Sequence, residues 1–95
     1  MKTLFELLRG FFKKQIIASQ AVDYLTVYFK YHINTCDKQC LVFDKNDIKL
    51  LLINRFPNIS YNTIEHVIKV SLQFITSDAN VKKFTTDDAI YLNVN

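Results

Sequence analysis

Residues 44–76, DKNDIKLLLINRFPNISYNTIEHVIKVSLQFIT, decide how the rest of the chain is read. Asp44, with Asp47 three residues on, marks a helix start, and Ile48, Leu51, Leu52 and Phe56 recur at the period of a helix with one buried face. Pro57 has no amide hydrogen to continue that helix and stops it. Ile59 sits in the short turn, where an apolar side chain can plug the gap between two crossing helices. Ser60 is then the N-cap of a second helix, in which Ile64, Val67, Ile68, Ser71, Leu72 and Ile75 share one side. At about 100° per residue, Asn62, His66, Lys69 and Gln73 fall in a narrow stripe on the opposite side, facing solvent if Ile64 and Ile68 are buried. A helix in the DNA major groove needs such side chains, because Asn and Gln can bond adenine bidentately and Lys can reach guanine or phosphate. The solvated face of an ordinary amphipathic helix carries the same pattern, since any surface helix is polar on one side.

Upstream, Thr3-Leu4-Phe5-Glu6 has the spacing of a capping box, which starts a helix at Leu4. Leu4, Leu7, Leu8, Phe11 and Phe12 extend its apolar face, Phe5 widens it, and Gly10 marks an end or a weak point. Phe11-Phe12-Lys13-Lys14 interleaves aromatic and basic residues, a combination able to stack bases and hold phosphates of single-stranded nucleic acid. Packing of the two phenylalanines into a core or a dimer seam, with the lysines in water, is the alternative. Ser19 is a candidate N-cap for a further helix over residues 20–34, with Val22, Leu25, Phe29 and Ile33 at helical period. One bent helix over residues 3–34 is the other reading. Tyr24, Tyr28, Tyr31, Lys30 and His32 enrich this segment in side chains that cover a core while exposing polar tips, and His32 reads as a surface histidine rather than a ligand.

Thr35 to Gln39 is polar and loop-like, and Cys40-Leu41-Val42-Phe43 is a short apolar run suited to a single strand. After the central pair of helices, Ser77-Asp78-Ala79-Asn80 is a loop. Residues 81–85 and 89–94 then read as a terminal hairpin about Thr86-Asp87-Asp88, with Ile90, Leu92 and Val94 alternating.

The whole chain bounds these readings. Ninety-five residues make one domain with a modest core. Hydrophobic residues are 49% of the composition, and one Gly and one Pro leave little room for a disordered or loop-rich chain. No apolar run approaches the roughly 18–20 residues of a membrane span, and the first residues lack the pattern of a signal peptide, so no membrane association and a cytoplasmic location are expected. Cys36 and Cys40 stand four apart with no second pair at metal-ligand spacing; reduced thiols and no metal or other cofactor are expected. The net charge of +3 is concentrated in the first fourteen residues, where Lys2, Arg9, Lys13 and Lys14 outweigh Glu6. The central helices are therefore not a basic patch, which counts against strong duplex binding.

The order helix, strand, helix, turn, helix, β-hairpin from about Ser19 to Val94 resembles the winged helix-turn-helix superfamily, at the level of element order alone. The fold expected is thus α+β and mostly helical, with residues 1–18 a helical extension of a winged-helix core at 19–95. The resemblance implies that the helix from Ser60 is the recognition helix, that Cys40 to Phe43 pairs with the hairpin, that Thr86-Asp87-Asp88 is the wing tip, and that Lys82 and Lys83 touch DNA backbone. Asp87, Asp88 and Glu65 depart from a duplex-binding pattern, since all three repel phosphate.

No Gly-rich phosphate loop, activated nucleophile or carboxylate pair outside helix starts is present in the sequence, so an enzyme is not expected. The function expected is DNA binding of a regulatory or replication-accessory kind, through Asn62, His66, Lys69 and Gln73, with Lys45, Lys49, Lys82, Lys83, Lys13 and Lys14 on the backbone. Two other readings stay open: an interaction module docking a larger replication or transcription enzyme, and a single-strand binder stacking bases on Phe11, Phe12 and the tyrosines. The N-terminal helix is the expected seam of any homodimer. High Asn, Ile and Lys content fits an AT-rich genome such as that of a phage, plasmid or other mobile element.

Overall fold

The structure is a computed structural model that describes residues 4–37 and 39–95, and for residues 5–14 describes the backbone alone. It is α+β: helix α1 (Leu4–Thr35), strand β1 (Cys40–Asp44), helix α2 (Lys45–Arg55), helix α3 (Tyr61–Thr76), and strands β2 (Val81–Thr85) and β3 (Ala89–Val94). The strands form one antiparallel sheet in the order β1-β3-β2, so the chain's last strand lies in the middle.

The first segment is a single helix, which corrects the expectation of a separate helix over residues 20–34 capped by Ser19. Helix propensity explains the continuity: Ser19 and Gln20 are tolerated in a helix interior, no proline intervenes, and a lone Gly10 costs only about 1 kcal/mol relative to Ala. The boundary expected between residues 18 and 19 falls inside this helix. At about 1.5 Å per residue, α1 is long enough to set the molecule's dimensions of 55 × 23 × 20 Å.

Helix α2 starts where the sequence places it. The Asp44 carboxylate accepts from the amides of Asn46 and Asp47 at 2.8 and 3.3 Å, which satisfies two donors that have no partner inside the helix. Its end follows from Pro57, which drives the preceding Phe56 out of helical geometry while the Phe56 amide still bonds the Leu52 carbonyl at 2.8 Å. Helix α3 is capped by Ser60, whose Oγ accepts from the Thr63 amide at 3.2 Å.

Ala21, Val22, Leu25 and Phe29 of α1 meet Ile64, Val67, Ile68, Leu72 and Ile75 of α3, with Ile48 and Leu52 of α2 and Val81, Ile90 and Leu92 of the sheet completing the core. The face expected from Ile64, Val67, Ile68, Ser71, Leu72 and Ile75 is buried at every position. In α2, Ile48 and Leu52 are buried while Leu51 and Phe56 are half-buried. Each fully buried large apolar side chain, such as Phe29 or Leu25, contributes about 1.5–3 kcal/mol of transfer free energy.

The register of the sheet fixes its two faces. Leu41 pairs with Leu92 and Phe43 with Ile90, so these side chains point at the helices. The row Val42, Tyr91 and Phe84 points away from them. At the hairpin tip the Thr86 amide bonds the Ala89 carbonyl at 2.9 Å, and the Ala89 amide bonds Thr86 Oγ1 at 3.0 Å. The Asp88 carbonyl accepts from the Lys45 amide at 2.9 Å, tying the tip to the first turn of α2.

Candidate nucleic-acid interface

Helix α3 places Asn62, His66, Lys69 and Gln73 in solvent, on the side away from its buried residues. The stripe spans three turns, roughly 16 Å of helix at 1.5 Å per residue. Its side chains offer neutral donors and acceptors and one cation, the chemistry of base-edge contact.

One flank of the stripe is occupied by an interhelical cluster. Lys49 of α2 lies 3.1 Å from the Glu65 carboxylate and donates to the Tyr61 hydroxyl at 3.3 Å. Its ammonium also stands 5.0 Å from the centre of the Tyr61 ring. The hydrogen bond from Lys49 holds the Glu65 carboxyl below its ordinary value, and the same bond raises Lys49 above its own. Lys45 adds a smaller attraction to Glu65 from one turn earlier in α2. Glu65 is thus not the unpaired negative charge that its position in the sequence implies, and Lys49 is not a free cation.

Lys82 and Lys83 are both exposed, but they lie on opposite faces of the sheet. Lys82 pairs across the strands with exposed Asn93, and Lys83 with buried Leu92, which points at the helices. One flat ligand surface cannot take both. Asp87 and Asp88 are exposed at the tip of a hairpin that ends beside α2, one residue beyond the Asp44–Ala89 pair of β1 and β3. The side chains of Phe11, Phe12, Lys13 and Lys14 lie outside the described residues.

Two features were not singled out from the sequence. Tyr61 follows the cap of α3 and stays 63% exposed despite sitting at the helical phase of the core. On the outward sheet face, Val42 and Phe84 are 60% and 63% exposed, with the Tyr91 ring between them and 5.8 Å from that of Phe84. Period-two alternation in residues 81–85 and 89–94 carries the signal for Phe84 and Tyr91, but only the strand order puts them beside Val42.

His32 is half-buried, its ring 4.5 Å from that of Tyr28 and 5.6 Å from those of Tyr31 and Phe43. Its surroundings are aromatic rather than those of a ligand. Cys36 is half-buried and Cys40 exposed, both as free thiols. Among the described residues no three His, Cys, Asp or Glu side chains converge on a metal site, and no helix is long and apolar enough to cross a membrane. Compared with known proteins, the chain matches no family model, no curated protein and no solved structure.

Proposed function

We propose that the chain is a small winged-helix DNA-binding protein of the regulatory or replication-accessory kind, which lays α3 in the major groove. The observation that carries this reading is the exposed stripe of Asn62, His66, Lys69 and Gln73, on a helix entered by a short turn from α2. The element order and the β1-β3-β2 sheet support it. Asn62 and Gln73 are the base-reading candidates and His66 sits between them. Lys69 reaches guanine or phosphate, and Lys45 and Lys83 serve as backbone contacts. The short acidic hairpin tip has no groove contact in this reading; specificity rests on α3.

A titration of labelled duplex and single-stranded oligonucleotides, followed by fluorescence anisotropy at two salt concentrations, tests it. Salt-sensitive duplex binding is expected, and Asn62→Ala with Gln73→Ala should erase sequence preference while leaving non-specific affinity in place. Absence of binding to either at low salt would overturn the reading in favour of a protein partner.

A second reading is favoured by the exposed Phe84 ring, with the half-buried Tyr91 ring beside it and Lys82 two residues along on the same face. Rings on an open sheet can stack bases of a single strand while a lysine holds phosphate. Preference for single strands, lost on Phe84→Ala in a folded protein, would select it.

A further inference from the structure

Helix α1 carries a second apolar face that the fold leaves uncovered. At about 100° per residue, Val27 lies opposite the buried side formed by Val22, Leu25 and Phe29, and it is 66% exposed. Ile16 and Tyr31 on the same face are 55% and 63% exposed. Tyr24, Val27, Tyr28 and Tyr31 with Asp23 line a groove of about 470 Å³. Gln20, Lys30 and Asn34 flank this apolar centre and are exposed.

We propose that this face is a dimer interface, with α1 of a second copy packed antiparallel across Val27. The proposal goes beyond DNA binding and does not depend on it. A two-fold axis at Val27 places residues four before it against residues four after it. Helical phase sets Asp23 and Lys30 on one flank of Val27 and Tyr24 and Tyr31 on the other, so Asp23 faces Lys30 of the second copy, Tyr24 faces Tyr31, and Gln20 and Asn34 meet near the centre line. Each pair is chemically complementary: a carboxylate on an ammonium, two aromatic rings, and two amides. A parallel pairing would instead hold Asp23 and the second copy's Lys30 seven positions apart along the helix, so the charge pattern selects the antiparallel arrangement. Self-complementarity of this kind is what a two-fold interface requires, and an apolar centre with polar ends matches the core and rim of known interfaces.

The size of the contact sets its strength. Gln20 to Asn34 is roughly 21 Å of helix, which buries well under the ~800 Å² per partner of a standard interface. The dimer is accordingly weak, with a dissociation constant on the order of micromolar or above.

Sedimentation equilibrium of the full chain at low ionic strength, from submicromolar to submillimolar concentration, tests the proposal. A concentration-dependent dimer is expected. Val27→Glu should raise its dissociation constant more than about tenfold, a loss of over 1.4 kcal/mol, with an unchanged circular dichroism spectrum because Val27 makes no part of the core. Asp23→Lys and Lys30→Asp should each weaken the dimer, and the two together should restore it. A monomer at every concentration, a dimer indifferent to Val27→Glu, or charge reversals that fail to rescue each other would each overturn the proposal. DNA titration of Val27→Glu reports separately on α3.

Discussion

Ser71 of α3 donates its hydroxyl to the carbonyl of Val22 in α1 at 3.4 Å, in the fully buried seam between the two helices. Sequence separates these residues by nearly fifty positions, and the small side chain lets the helices approach. Val22 lies within α1, where helical carbonyls have an amide partner four residues on, so the bond is supplementary and long. Ser71→Ala should therefore cost about 1 kcal/mol or less. Ser71→Leu should cost about 1–3 kcal/mol by overpacking the seam. Urea unfolding of the two variants separates packing from hydrogen bonding, and an equal loss for both would show the hydroxyl to be the larger contribution.

A second hydroxyl in α1 makes the opposite case. Thr26 Oγ1 is buried and has no hydrogen-bond partner among the described residues. An unsatisfied buried polar group costs about 1–3 kcal/mol, and valine has the same branched shape without it. Thr26→Val is expected to raise the thermal midpoint. A lowered midpoint would mean that the hydroxyl has a partner after all.

These contrasts show which parts of the molecule local sequence can carry. Ser60, Pro57 and Asp44 act within four residues of themselves, so helix ends follow from their chemistry, and the six apolar and small residues from Ile64 to Ile75 set the buried face of α3 by periodicity alone. Helix α1 was harder because Ser19 is a good cap and a tolerable interior residue at once; with no proline and only the lone Gly10 between Leu4 and Thr35, propensity decides in favour of continuity. The stripe from Asn62 to Gln73 was legible as an exposed face because exposure is the complement of burial. The pairing of Lys49 with Glu65 was not, since it depends on the angle between α2 and α3. Nor was the row of Val42, Tyr91 and Phe84, which needs the strand order.

The Lys49–Glu65 pair gives the stability a defined pH dependence. Because the folded carboxyl titrates below the ordinary 4.5, the stabilisation is complete above that value and is lost as pH falls through the lower folded one. Lys49 titrates above the ordinary 10.5 when folded, so on the alkaline side the stabilisation is complete below 10.5 and is lost as pH rises through the higher folded value. Glu65→Gln should unfold at lower urea than the parent at neutral pH, with the gap closing in acid. Both groups are exposed enough for salt to screen the effect, so it should be small and should shrink in high salt. A gap undiminished in acid would assign the loss to packing instead of charge.

The same pair bears on DNA binding, because Lys49 has one charge and two acceptors for it. In the free protein Glu65 and the Tyr61 hydroxyl hold the ammonium beside the stripe on α3, and a phosphate entering there must compete with a carboxylate 3.1 Å away. If duplex lies on α3 as proposed, Glu65→Gln should raise affinity and steepen the dependence of log K on log salt by about 0.9, the increment of one further phosphate contact. Lys49→Ala in the Glu65→Gln background should return the slope to that of the parent. Lys69→Ala should lower it by about the same increment whether or not Glu65 is present, since Lys69 lies a full turn beyond the cluster. A slope unmoved by Glu65→Gln, alongside one reduced by Lys69→Ala, would place the DNA backbone on α3 and away from α2.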